Sequence, residues 1–278
     1  MIPISGPEPG SGLLPAAELE QAVELATSLA RWACAQMRLP SGSPRAKAHA
    51  ADLVTDTDER IERIVRERLR LAFPQHTVIG EEFAPHEGAP DAGTWVVDPV
   101  DGTTNFAHGI GWSSFSLGLR DAAGPLVAVV ADPWRDELFS AVRGGGARLN
   151  GTPIRASTAT DLRGQVVMTE WAAHEPWPGM PEILAELSRR WCTVRIMGST
   201  ALSLAQVAAG RAAATLIGEF HAIDGEPAML IGTEAGAVAL DPGAEASANG
   251  SEGSSLLLAA PGVSQELTAL WRTAHPRP

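Results

Sequence analysis

The sequence predicts a layered α+β enzyme. Three observations predict it: an amphipathic helix near the start, a series of short apolar runs separated by turn residues, and a second half in which helical and extended segments alternate. An antiparallel meander followed by such an alternation fits an αβαβα stack of layers.

Each element has its own warrant. Residues 16–37 place Leu19, Val23, Ala26, Leu29, Ala30 and Ala33 at helical spacing. Residues 58–72 repeat the pattern with Ile61, Ile64, Val65, Arg68 and Leu69, and Thr57 or Asp58 is positioned to cap that helix. Thr77–Gly80, Trp95–Asp98, Ser114–Leu119, Leu126–Val130 and Glu137–Val142 read as strands, with turns at 144–146 and at Asn150-Gly151. The polar stretch 150–160 marks a seam. Beyond it, 181–190, 200–209, 225–235 and 263–274 read as helices, and 193–197, 212–217, 237–240 and 255–259 as strands. The expected organisation is an arm over 1–15, a first half over 16–155 and a second half over 156–278, with a surface loop at 241–254.

Composition narrows the function. Hydrophobic residues make up 45% and charged residues 19%, which supplies a sizeable core. The formal net charge is -12, which argues against a nucleic-acid partner, because such binding rests on Lys and Arg meeting phosphates. No apolar run is long enough for a membrane span, and residues 1–15 lack the basic start and apolar core of a signal peptide. Cys34 and Cys192 lie far apart and read as reduced thiols of a cytoplasmic protein. An acidic chain can still take a small phosphorylated substrate if a divalent cation supplies the positive charge.

Four acidic pieces carry the candidate chemistry: Asp52-Leu-Val-Thr55-Asp-Thr-Asp58, Gly80-Glu81-Glu82, Trp95-Val-Val-Asp98-Pro-Val-Asp101-Gly-Thr103-Thr-Asn-Phe106, and Ile223-Asp224-Gly225. In the third, an apolar strand runs into Asp98, and Pro99 is expected to end regular pairing. Asp98 and Asp101 then flank a tight turn. Gly102 lets the backbone approach a ligand, and Thr103, Thr104 and Asn105 open a helix whose free N–H groups suit an anion. Carboxylates for cations beside N–H donors for phosphate are what phosphoryl transfer needs. Neither His nor Cys occurs in the four pieces, so the donors are hard oxygens that suit Mg²⁺ or Mn²⁺. Taken singly, each piece also has a plain reading as a turn, a strand end or a helix cap.

Together, in this order, the four pieces and Glu234-Ala235-Gly236 closely resemble the inositol monophosphatase family, over about residues 16–273. The resemblance implies a five-layer αβαβα fold, Mg²⁺ dependence with two or three ions per site, sensitivity to Li⁺ and often a homodimer. It implies that Glu81, Asp98 and the carbonyl of Val100 hold a first metal, that Asp98, Asp101 and Asp224 hold a second, and that Asp52 lies beside a weaker third. Glu81 with Thr103 is implied to activate the attacking water, Asp58 to hydrogen-bond Thr103, and the N–H groups of Gly102 and Thr103 to bind phosphate. Met197-Gly198-Ser199-Thr200 resembles the segment lining the substrate side, and His221 lies near Asp224, where it would face substrate.

The chain departs from the family pattern where the alcohol is recognised. Ile223 replaces the usual Trp before the last Asp. Ile217 stands where inositol-specific members carry a Glu, with Glu219 nearby. Ala172 and Ala173 fall where a polar contact to the ring is expected. The expected activity is Mg²⁺-dependent hydrolysis of a small phosphate monoester, inositol 1-phosphate first and histidinol phosphate second. A 3′,5′-bisphosphate nucleotidase fits less well, because Thr104-Asn105-Phe106 follows Asp101-Gly-Thr. A non-catalytic regulator that keeps the fold is the alternative of a different class. His108 reads as a surface residue, residues 83–94 as a flap or a surface loop, and Trp171 and Trp177 as dimer-interface material.

Overall fold

A computed structural model describes residues 14–89, 92–171, 175–241 and 254–275, with the side chains of Asp224 and Ser254 outside that description. Residues 1–13 of the arm and most of the 241–254 loop therefore lie outside the described residues, as do Ala172 and Ala173.

The first half contains α1 (Ala16–Met37), the hairpin β1 (Arg45–Ala46) and β2 (Leu53–Val54), α2 (Asp56–Ala72), β3 (Thr77–Gly80), β4 (Thr94–Asp101) and α3 (Thr103–Ala107). A meander follows: β5 (Ser114–Asp121), β6 (Gly124–Asp132), β7 (Glu137–Val142), β8 (Gly146–Leu149) and β9 (Thr152–Pro153). The second half runs β10 (Val166–Thr169), α4 (Met180–Arg189), β11 (Thr193–Ile196), α5 (Thr200–Ala208), β12 (Ala214–Phe220), α6 (Ala222–Glu234), β13 (Val238–Leu240), β14 (Ser254–Ala259) and α7 (Pro261–Ala274).

Two sheets organise these elements. The first has seven strands in the order β3-β4-β5-β6-β7-β8-β9, antiparallel except for the β3–β4 pair. The second has five in the order β11-β10-β12-β14-β13. Alternation along β6 shows how the layers form. Val127 and Val129 face a core built with α1 and α2, whereas Ala128 and Val130 face a second core built with α5 and α6. Met168, Ile217, Leu256 and Leu258 of the five-stranded sheet share that second core, so α5 and α6 are common to both sheets. Val167, Leu216 and Leu257 turn the other way, onto α4 and α7. The stack is α1/α2, seven strands, α5/α6, five strands, α4/α7: the five-layer αβαβα sandwich the sequence predicts.

Several boundaries differ from expectation. The cap of α2 is Thr55, which accepts the Thr57 N–H, while Asp58 accepts the Thr55 N–H to complete a capping box. The buried stripe of α2 includes Glu62 in place of the exposed Arg68. Pro99 does not end β4: the strand continues to Asp101 through a bulge, with Asp98 opposite Ser116 and Asp101 opposite Ser114. Three steps on β4 thus match two on β5, so the missing Pro99 N–H costs no ladder bond. The strand β10 is not foreseen at all. Trp177 is buried at 2% exposure and stacks on Trp271, so it is core and not interface; Trp171 is 48% exposed. The described part of 83–94 is tied to its neighbours: His86 bridges to Val78, and Gly88 N–H donates to Thr77 Oγ1. Pro90 and Asp91 lie outside the described residues. No helix among the described residues is long and apolar enough to cross a membrane.

Candidate active site

The bulge in β4 aims the two aspartates. Asp98 is buried and its Oδ1 accepts the Val100 N–H at 3.0 Å, which fixes the short Asp-Pro-Val loop. At the end of the strand Gly102 takes φ +87°, and a Cβ there would lie 2.7 Å from the Gly198 carbonyl. Only glycine fits both constraints. That turn starts the short helix α3 directly beyond Asp101, as the sequence predicts.

Asp101 does more than end a strand. Its Oδ1 accepts the Thr200 N–H at 3.1 Å, and its Oδ2 accepts the Ala201 N–H at 2.9 Å, both from the first turn of α5. Ser114 and Ser199 hydroxyls also donate to it. Ser199, expected on the substrate side, is buried at 1% exposure with its hydroxyl donated to Asp101, and it accepts the Leu202 N–H as the N-cap of α5. Burial pushes the Asp101 carboxyl up to about 6, against the pull of these four donors. Asn105 reinforces the same seam: its side-chain amide donates to the carbonyls of Trp112 and Met197 at 2.8 and 2.6 Å.

Thr103 sits at the hinge of the site. Its Oγ1 lies 2.9 Å from the Val100 carbonyl and 3.2 Å from Asp58 Oδ1. One hydroxyl proton serves one acceptor at a time, so the two are alternatives. Asp58 is fully buried and also accepts from the Thr55 N–H and hydroxyl. Burial raises its pKa, and the nearby charge of Glu81 adds to the effect.

Glu81 is held from two sides. Behind it, the buried Glu62 accepts the N–H of Glu82 at 2.7 Å and of Phe83 at 3.3 Å. A Cβ on Gly80 would collide with the Glu62 carboxylate at 2.2 Å, which explains the bare backbone of the Gly-Glu-Glu turn. In front, Lys47 reaches over from the β1–β2 turn and places Nζ 2.8 Å from Glu81 Oε1 and 2.7 Å from Glu82 Oε1. Burial opposes the charge of Lys47, but its bonds to the two glutamates outweigh that and raise its pKa. Burial pushes Glu82 up to about 7, with Glu81 and Asp58 adding repulsion. Asp52 closes the same hairpin turn, its Oδ2 accepting the Ala48 N–H at 3.1 Å.

On the far side of Asp101, Gly102, Thr104, Asn105, Glu170, Trp171 and Thr200 line an open cavity of about 530 Å³. Glu170 is buried beneath it; Oε2 accepts the Gly198 N–H at 2.6 Å and Oε1 the Ser203 hydroxyl. Burial pushes its carboxyl up to about 7. Ile217 is buried, whereas Glu219 and His221 are exposed at the end of β12 and the start of α6. Asp224 lies in the first turn of α6, and its side chain is outside the described residues. One turn on, Pro227 packs where Gly118 has no Cβ, and Gly118 is opposite Val96 of the strand that ends in Asp98 and Asp101. Among the described residues, no three His, Cys, Asp or Glu side chains already close around one point as a metal cage would. His108 is an exposed surface residue, as read from sequence.

Sequence reading missed Lys47, Glu62 and Glu170. The i,i+4 pair Glu62–Arg66 on a helix and the Lys five residues before Asp52 were visible, but both resemble ordinary surface charges until packing buries or aims them.

The sequence model of the inositol monophosphatase family matches residues 16–275. The chain is 38% identical over 204 residues to inositol monophosphatase 2 of Solanum lycopersicum, covering 69% of this chain and 75% of that protein. It is 42% identical over 162 residues to Nus factor SuhB of Escherichia coli (strain K12), covering 58% of this chain and 61% of that one. The chain thus matches about three fifths of the length of such bacterial relatives. The solved structure of Mycobacterium tuberculosis SuhB resembles it with a TM-score of 0.73 at 30% identity, covering 94% of this chain and 97% of that one.

Proposed function

The chain belongs to the inositol monophosphatase family, and from that premise we propose that it hydrolyses a small phosphate monoester by direct in-line attack of an activated water. The observation that carries the reading is the clustering at the end of β4. Two buried aspartates, a carbonyl and a hydroxyl poised between Asp58 and Val100 stand beside the start of α3 and the 530 Å³ cavity.

A divalent metal fits this donor set. Glu81, Asp98, Asp101 and the Val100 carbonyl are hard oxygens of the kind Mg²⁺ and Mn²⁺ prefer. The Lys47 ammonium on Glu81 and Glu82 is a cation already resting on one of these carboxylates, and burial raises the pKa values of Asp58 and Glu82, with the neighbouring Glu81 charge adding a smaller push. In this reading Glu81, Asp98 and the Val100 carbonyl hold a first Mg²⁺; Asp98, Asp101 and Asp224 hold a second; Asp52 lies near a weaker third. When bound, Mg²⁺ supplies positive charge to the phosphate oxygens and makes water easier to deprotonate.

The chain's own groups do the rest. The Gly102 and Thr103 N–H groups hold the phosphate oxygens at the start of α3. Thr103 donates its proton to Asp58, which leaves its lone pairs facing the water, and Glu81 takes the proton that the water gives up. Asp58 thereby fixes Thr103 and not the substrate. Thr104 and Thr200 line the side where the alcohol sits, with His221 near it. No residue becomes phosphorylated in this scheme.

Inositol 1-phosphate is the first candidate substrate, on the family membership; histidinol phosphate is kept as the second because the buried Ile217 offers the alcohol no acidic partner. We take the working form to be a cytoplasmic homodimer sensitive to Li⁺ that binds neither nucleic acid nor membrane. The test is a phosphate-release screen over inositol phosphates, histidinol phosphate, nucleoside bisphosphates and fructose bisphosphate, with and without Mg²⁺ and Li⁺. Release from one ester only with Mg²⁺ is expected. No release from any of them would sink the phosphatase reading in favour of a non-catalytic role, in keeping with the name Nus factor carried by some relatives.

A further inference from the structure

A second cavity is somewhat larger than the one beside Asp101. It lies on the outer face of α2 and has a volume of about 610 Å³, within the range of small-ligand sites. Arg63, Arg66 and Arg70 line it along one side of the helix. Their spacing of three and four residues puts all three on one face, with about 10 Å between the ends of the row. Phe83, 39% exposed, and His86 form the opposite wall. Leu71, 74% exposed, extends the apolar surface at the end of the helix.

The three arginines are not equivalent. Arg66 is structural: it pairs with Glu62 at 3.0 Å and donates to the carbonyls of Phe83 and Ala84. It fixes the wall that carries Phe83. Arg63 and Arg70 make no ion pair among the described residues, although Glu67 lies between them on the same cavity. Two guanidinium groups without an ion pair thus stand beside an exposed aromatic ring on the wall of one cavity. Guanidinium groups bind phosphate through paired N–H donors, and an exposed ring offers a stacking face to a base.

We propose that this groove binds a nucleoside polyphosphate, with the phosphates on Arg63 and Arg70 and the base against Phe83. The site contains no carboxylate cluster and needs no metal, which separates it from the catalytic centre. Its back wall is continuous with the segment that carries Glu81, because Glu62 holds the Glu82 and Phe83 N–H groups on one side and Arg66 on the other.

Calorimetric titration of the full chain with ATP in EDTA tests this, because the proposed phosphatase centre lacks its metals under that condition. Wild type is expected to bind ATP, Arg63→Glu/Arg70→Glu to bind it at least tenfold more weakly, and Arg63→Ala/Arg70→Ala to fall between them. All three are expected to melt at similar temperatures, since both positions are exposed. Phe83→Ala is expected to weaken ATP and leave inorganic tripolyphosphate unchanged. ATP binding of equal strength in the double-Glu variant overturns the site, as does no binding by wild type at millimolar ATP. A response to hexaglutamate with none to ATP would overturn it too, by assigning the groove to an acidic protein segment. Equal affinity for tripolyphosphate and ATP would overturn the role of Phe83.

Discussion

Asp101 Oδ2 accepts the Ala201 N–H at 2.9 Å, so a carboxylate at the end of a first-half strand caps a helix of the second half. With the Thr200 N–H on the other oxygen, one side chain satisfies two N–H groups that α5 leaves without internal acceptors. The same side chain is a proposed metal ligand, which binds site and fold together. Asp101→Ala should lower unfolding free energy by roughly 1–3 kcal/mol in EDTA, the range for buried donors left unpaired. Urea denaturation measures it, and an unchanged midpoint would show that the cap contributes nothing.

Thr103 presents one proton to two acceptors, Asp58 Oδ1 and the Val100 carbonyl. If its hydroxyl orients the attacking water, Thr103→Val should lower kcat by about 10²–10⁴, the range for a lost proton-transfer group, with KM little altered. Thr103→Ser should keep most of the rate. Steady-state kinetics on whichever ester the screen identifies decides this, and a Val variant of normal kcat removes Thr103 from the mechanism.

Lys47 holds Glu81 at 2.8 Å, and a metal that used Glu81 would have to displace it. Lys47→Met should therefore tighten Mg²⁺ binding by about fivefold, the scale of ~1 kcal/mol for a partly exposed ion pair. Calorimetric Mg²⁺ titration reads the effect directly. Weaker Mg²⁺ binding in the variant would mean that Lys47 supports the metal site.

Glu170 gives a pH prediction. Burial raises its carboxyl from 4.5 to about 7 in the folded chain, so between those values the native state holds a proton that the unfolded chain has lost. Its contribution to stability is present below pH 4.5, falls as pH rises, and levels off above pH 7. The span corresponds to about 3 kcal/mol. Glu170→Gln, which keeps the shape but does not titrate, should flatten that part of the decline in melting temperature between pH 5 and 7 in EDTA. An identical slope in wild type and variant would place the titration elsewhere.

Much of this was legible in the linear chain. Long periodic segments such as α1 announced themselves, because an apolar stripe repeated over several turns has few alternative explanations. The piece from Trp95 to Phe106 was legible because its ends obey local chemistry: an apolar strand, a glycine that accepts φ +87°, and threonines that open a helix. Pro99 misled, since local rules treat proline as a strand stop and cannot see that a bulge on β4 gives the partner strand another way to pair. Strand β10 was silent, and it is recognisable once β11 and β12 lie on either side of it.

The sequence by itself determined the layers and the acidic pieces that border the site, because hydrophobic period and turn chemistry act between near neighbours along the chain. Only the tertiary structure decided which of those charges face one another. Lys47 on Glu81, Glu62 under Glu82, and Asp101 on Ala201 join residues 20 to 100 positions apart. Such contacts leave no periodic trace. A carboxylate becomes a cap, a support or a ligand only when burial removes water and leaves it a particular partner.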